Sequence, residues 1–455
     1  MEAIIPTAVQ TSSSRHVSRS ATSPYSVAGA VLLGLLLELI IARTYATQMI
    51  QLLGGATNAH PPSPFAVFVS YLMTAIATAA CSVYCERCRG PGRFVLAVHL
   101  VAVVIPLQAL VATNFELAQL PFACAVAIAF TGAAVVAASG RAVRLPTAPA
   151  TMWLAVLVLV LMTLYVFGML IAHGGLGRLN FDLNLVYQVR EEFLEDAGPF
   201  AGYLIPWQGY VINPAIIVLG VRRRSVLLIA IGVILQSALF GMTGFRAFLF
   251  IPLLMLAFYL IGARRQIVAY ALAGAMAIAA VAGLLYVILR DPLIPSIMIY
   301  RVLVIPAEIH FWYYDYFGVQ GHPALQLSQS AFAAFVHSPY RMPIAEVIGW
   351  QYLGSAASAN VGVFGDAFAN FGFLGCALVA ILFGLLLKVI DAAALRTDPR
   401  VSAALIGAPA FQLVNSGMFT TLATHGLALT ILALWLLSER PSRFRSGARS
   451  GAGSG

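Results

Sequence analysis

Twelve stretches of the chain are apolar over the length of a membrane helix or close to it: 27–42, 66–84, 94–112, 120–139, 151–172, 203–220, 225–242, 246–262, 266–289, 361–387, 401–418 and 422–438. A helix rises about 1.5 Å per residue, so about 20 apolar residues cross the roughly 30 Å of bilayer hydrocarbon. The pattern predicts an all-α polytopic membrane protein of about 12 transmembrane helices. Two polar intervals between the runs are long, about 173–202 and 290–359. Residues 1–26 are rich in Ser and Thr and read as a disordered cytoplasmic tail, 27–438 as one transmembrane unit, and 439–455, ending SGARSGAGSG, as a flexible cytoplasmic tail.

Composition removes the soluble classes. Hydrophobic residues make up 61% of the chain, charged residues 9%, and mean hydropathy is +0.90, far from soluble domains. A net charge of +9 would suggest nucleic acid in a soluble protein; here it points to basic cytoplasmic loops and no nucleic-acid partner. With the N-terminus inside, the inner loops carry Arg87, Arg89 and Arg93, then Arg141 and Arg144, then Arg222 to Arg224, then Arg264 and Arg265, and finally Lys388, Arg396 and Arg400. That distribution follows the positive-inside rule. It predicts that both termini are cytoplasmic and that the two long intervals are external. The five cysteines form no disulfide framework. Cys81, Cys85 and Cys88 have the spacing CxxxCxxC at a helix end, and buried thiols are expected there rather than a cluster.

The external intervals hold the polar chemistry. The first contains Arg190 within VYQVREEFLED, and the short turn GMTGFRAFLF contains Arg246. In the second, Pro295 and Pro306 bracket a short helix with Arg301, and a second short helix carries Glu308, His310, Trp312, Tyr313, Tyr314 and Asp315. Aromatic rings beside carboxylates suit a sugar, and they equally suit an interfacial aromatic belt. Arg290 and Arg341 lie in the same interval. Beyond it, NVGVFGDAFANFG places Asp366 and Asn370 one turn apart on one helix face. An Asp in an apolar helix costs up to about 2.5–3.5 kcal/mol at mid-bilayer, so Asp366 is expected to face a polar cavity. Glu38 in the first run is similarly costly and has no partner legible in the sequence.

The run SANVGVFGDAFANFGFLG, after an aromatic-rich interval containing DYF, resembles bacterial O-antigen and exopolysaccharide repeat-unit polymerases of the Wzy type, in the O-antigen polymerase/ligase-like superfamily. GFRAFLFIPLLMLAFYLI is similar to the G-x-R segment of that group, and the likeness is clearest over 241–386. The resemblance implies a multi-pass glycosyltransferase of the bacterial inner membrane with its site facing the periplasm. It would transfer a growing polysaccharide from undecaprenyl pyrophosphate to the non-reducing end of a new lipid-linked repeat unit, with no metal or cofactor. Implied partners are the undecaprenyl-pyrophosphate-linked oligosaccharide, membrane lipids and a chain-length regulator protein. Phosphate contacts are then expected from Arg246, Arg290 and Arg301, with Arg190 or Arg341. Asp366 and Asp315 are expected as base ahead of Glu308 and His310, and glycan contacts from Trp312, Tyr313, Tyr314, Asn360 and Asn370. An O-antigen ligase-like enzyme uses the same donor. A polysaccharide transporter or flippase is a third reading, disfavoured by charges gathered on one side and by the lack of an internal repeat.

Overall fold

The computed structural model describes residues 24–46, 63–113, 117–146, 152–182, 185–198, 200–290, 296–330, 332–355 and 357–437. Of the tail expected at 1–26, residues 24–26 are described and belong to the first helix. The segment 439–455 and Pro295 lie outside the described residues.

All regular structure among the described residues is helical, and each of the twelve apolar runs contains a helix. In chain order they are α1 (Pro24–Thr44), α2 (Pro64–Arg87), α3 (Gly92–Val111), α4 (Leu120–Ala138), α5 (Met152–Ala172), α6 (Val186–Asp196), α7 (Ala201–Arg223), α8 (Val226–Thr243), α9 (Arg246–Ile261), α10 (Ile267–Leu289), α11 (296–319), α12 (Ile344–Leu353), α13 (Val363–Ala393), α14 (Pro399–Asn415), α15 (Met418–Ala423) and α16 (Leu427–Leu436). Eight of them, α1 to α4, α7, α8, α10 and α13, are long and apolar enough to cross a membrane, as a polytopic membrane protein requires. The last predicted run is cut short because Gly426 adopts φ +79°. The ten residues of α16 span only about 15 Å.

Large side chains such as Leu154, Leu164, Leu253 and Leu284 point outward, the reverse of a water-soluble surface. Inside, the buried residues form two cores. One is built from α1 to α4, α10, α11 and α13, the other from α5 to α9. The helix α14 is the wall between them. Its residues Ala403, Ile406, Ala410 and Leu413 pack into the first core, and Val401, Ala404, Leu405 and Ala408 into the second. The i, i+3/i+4, i+7 spacing of each set gives one helix two apolar faces.

Basic residues collect at one end of the bundle. The Arg93 guanidinium donates to the carbonyls of Gly262 and Arg264 beyond α9. Lys388 of α13 donates to the carbonyl of Ser139 after α4. Asp391 receives the Gly92 N–H at 2.7 Å and the Tyr84 hydroxyl at 2.9 Å. These contacts fix the ends of five helices beside one another.

Two features of the opposite end depart from the linear pattern. First, α11 is one continuous helix through Pro306, where two short ones were expected. Its first nine residues, Ser296–Val304, take the wider π turn. A wider turn relieves the clash between a proline ring and the preceding turn, and the missing proline N–H costs little there. Second, α13 reverses on itself. Phe371 and Gly372 leave helical geometry, with Gly372 at φ +60°, a conformation that only glycine adopts freely. Residues 367 and 375 would lie about 12 Å apart along a straight helix; here a Cβ on Gly375 would collide with the Ala367 carbonyl. Residues 363–370 therefore form a separate eight-residue limb folded back against the rest of α13.

Candidate functional site

Asp366 sits on that short limb. It is partly exposed, whereas its neighbours Gly365, Phe368 and Ala369 are buried. The Asn370 side chain, one turn later, donates to the Asp366 carbonyl at 2.8 Å and to its carboxylate at 3.3 Å. Asn370 Oδ1 in turn accepts the Leu327 N–H at 2.6 Å, and the Ala369 carbonyl accepts the Leu325 N–H. Leu325 and Leu327 are thereby held against the limb. On its other flank the carboxylate faces Gly417, where a Cβ would lie 2.5 Å from Oδ2. Only glycine leaves room for it.

Gly417 opens the connection from α14 to α16, residues 416–426, which reaches the second core. Trp207 Nε1 donates to the Ala423 carbonyl at 2.8 Å. The His425 ring stands 6.0 Å from Tyr210, edge to face, and Gln412 engages the same Tyr210 phenol. Burial lowers the His425 pKa to about 4, so its imidazole is neutral at physiological pH. The charge of Arg190 acts on Tyr210. Arg190 itself donates from Nη2 to the Gly244 carbonyl at 3.2 Å and lies 4.8 Å over the Phe245 ring. Arg246 begins α9 two residues further on. The helix α6 therefore brings the long interval 173–202 onto the Arg246 turn, and Arg178 pairs with Asp196 to close that interval. One connection, 416–426, thus has a carboxylate on one side and an arginine-bearing turn on the other.

The other predicted residues distribute unevenly. Asp315 is partly exposed and accepts from Tyr352 at 2.5 Å and from Gln320 at 2.7 Å on the same oxygen. Trp312, also partly exposed, stacks on Tyr352 with centroids 5.6 Å apart and planes 3° from parallel. Tyr313 and Tyr314 are packing residues: the former donates to the Ala359 carbonyl and the latter stacks on Phe122 at 4.9 Å. Glu308 is buried, receiving Tyr300 at 2.7 Å and Tyr45 at 3.0 Å. Burial pushes its carboxyl up to about 7. His310 is fully enclosed, with Nδ1 2.6 Å from the Pro306 carbonyl, and burial lowers its pKa to about 4. Both groups brace α11 inside the bundle and face no open surface. Asn360 is exposed just before the limb.

Arg290, Arg301 and Arg341 are exposed, Arg290 in the left-handed conformation that ends α10. None of the three bonds to Asp366. Sequence reasoning passed over Tyr210, Gln412, His425 and Tyr352. Three of them lie in or beside strongly apolar helices, and the only local signal was the polar Thr-His-Gly step within a tight turn. Among the described residues no group of three or more His, Cys, Asp or Glu side chains could hold a metal ion. No protein-family model, curated protein or solved structure matches the chain.

Proposed function

We propose that the chain is a Wzy-type glycan polymerase with about twelve crossings, both termini cytoplasmic and its site at the periplasmic face of a bacterial inner membrane. The observation that carries this reading is the partly exposed Asp366 carboxylate on one side of the 416–426 connection, with Arg190 and the Arg246 turn on the other. A carboxylate and a guanidinium group across a shared wall are what displacement at a sugar phosphate needs. The segregation of basic residues to the far end of the bundle supports the orientation.

In this reading Asp366 accepts the proton of an acceptor hydroxyl as its oxygen bonds to the anomeric carbon of the donor glycan. The bond from that carbon to the pyrophosphate oxygen breaks with its electron pair. Arg190 and Arg246 stabilise the charge that builds on the departing undecaprenyl pyrophosphate, a bidentate task suited to guanidinium. Trp312 and Asp315 offer a ring face and an acceptor oxygen to the incoming repeat unit.

The test is reconstitution of the purified protein in lipid nanodiscs with an undecaprenyl-pyrophosphate-linked repeat unit, followed by glycan gels. A ladder of products that needs no ion gradient, and that is lost in Asp366→Asn and weakened in Arg246→Ala at matched protein levels, is expected. Unchanged ladders in both variants would sink the assignment. Transfer of the glycan to lipid A core or another acceptor, without a ladder of lengthened lipid-linked products, would make it a ligase.

A further inference from the structure

Glu38 lies near the middle of α1 and is completely buried, yet glycan transfer at Asp366 makes no use of it. The helices α1 and α2 pack against each other in antiparallel register: Gly34 lies against Thr78, and Glu38, one turn on, faces Thr74 and Ser70. Ser70, Thr74 and Thr78 repeat every four residues along one face of α2, and all three are fully buried. A buried carboxyl thus looks onto two of the three hydroxyls, those of Ser70 and Thr74.

The hydroxyls are held in an uncommon way. Thr113, Thr163, Thr243, Thr421, Thr424 and Thr430 all turn their oxygen onto the carbonyl four residues earlier, the usual arrangement for threonine in an apolar helix. Thr74 and Thr78 do not bond that carbonyl, and the Thr74 hydroxyl instead faces the Glu38 carboxyl. Ser70 spends its proton on the Val67 carbonyl, which leaves its lone pairs free. No ion pair joins Glu38 to a cationic side chain among the described residues.

A carboxylate placed in hydrocarbon must be balanced by a positive charge or by neutralisation. A proton needs one acceptor, whereas this site gathers up to four oxygens, two from Glu38 and one each from Ser70 and Thr74. An all-oxygen set carrying a single negative charge is the donor chemistry of a hard cation, and one carboxylate matches one unit of charge. We propose that Glu38, Ser70 and Thr74 form a binding site for a single sodium ion between α1 and α2. The site lies two helical turns from Tyr45, whose hydroxyl meets Glu308 on α11, so an ion here also fixes the helix that braces α11.

The experiment uses the full chain in detergent micelles or nanodiscs and measures equilibrium binding of radioactive sodium. Labelling by a hydrophobic carbodiimide, which modifies protonated buried carboxyls, is followed by mass spectrometry in parallel. Wild type is expected to bind sodium saturably, to be protected from labelling at Glu38 by sodium chloride but not by choline chloride, and to melt higher in sodium. Glu38→Gln should abolish binding, and the near-isosteric Thr74→Val should weaken it by about tenfold or more. Thr131→Val, at a hydroxyl on α4, should leave it unchanged. Absence of saturable binding in wild type, equal binding in Thr74→Val, or labelling of Glu38 indifferent to sodium would each overturn the proposal; the last outcome assigns the site to a proton alone. None of these measurements depends on glycan transfer, so the sodium site and the polymerase reading fail separately.

Discussion

Tyr352 donates its phenol to Asp315 Oδ2 at 2.5 Å across 37 residues of chain, tying α12 to the last turn of α11. Burial and the hydrogen bond to Asp315 hold the tyrosine well above its ordinary pKa, so it remains a donor across the working pH range. Tyr352→Phe keeps the stack on Trp312 and deletes the donor, leaving Gln320 as the remaining partner of that oxygen. A hydrogen bond to a charged group contributes about 1.5–3 kcal/mol. Partial exposure brings the expectation down to about 1–2 kcal/mol, read as a lower midpoint in a denaturant titration.

The Asp366 carboxylate should be sensitive to its space as well as its charge. Asp366→Asn preserves shape and the bond from Asn370, so folding should be unaffected while polymerisation falls about 10²–10⁴-fold, the usual worth of a general base. Gly417→Ala keeps the charge but pushes the carboxylate aside, and should reduce the rate while leaving a titrating base in the pH profile. Initial rates over a pH series separate the two effects.

Glu308 supplies a pH signature of stability. Its folded pKa of about 7 lies above the reference value of 4.5, so between those values the folded state binds the extra proton. Stability is therefore greatest below about pH 4.5 and declines as pH rises to about 7. The upper bound on the decline is about 3.5 kcal/mol, at about 1.4 kcal/mol for every tenfold change in proton affinity. Glu308→Gln should remove that slope, visible as wild-type and variant denaturation curves that diverge from pH 5 to 8.

The two arginine groups should separate on mutation. Arg190→Ala loses a carbonyl contact and a ring face, and Arg246→Ala acts at the same turn. Each is expected to lower polymerisation by about 10- to 100-fold. The exposed Arg341, in the segment just before α12, should tolerate alanine with less than about a twofold effect. Arg190→Lys should not restore activity, because an ammonium neither stacks as a plane nor binds phosphate bidentately.

Much of the helical scaffold could be read directly from the chain. Each apolar run became a helix because a backbone without water must satisfy its own hydrogen bonds. The Asp366–Asn370 pair was also legible, since a four-residue spacing on a helix leaves little freedom. The reversal at Phe371–Gly372 was not, because 363–370 still carries enough apolar residues around Asp366 and Asn370 to merge with the rest of α13 into one run. Nor was the continuity of α11: Pro306 reads as a breaker unless the preceding turn widens, and that depends on packing against α10 and α3. Tyr210 and His425 escaped because their significance comes from a contact between segments about two hundred residues apart.

The fold-back at Gly372 also bears on how the protein is made. Eight residues, about 12 Å of helix, are too few to enter a bilayer as an independent span. The limb is instead held by Leu325 and Leu327 from the segment before it and by the 413–417 stretch after it. Its second support does not exist until α14 has been synthesised and inserted. The surroundings of Asp366 are thus completed late in biogenesis, and a ribosome-bound chain that ends before α14 carries the limb without the Gly417 side of its setting.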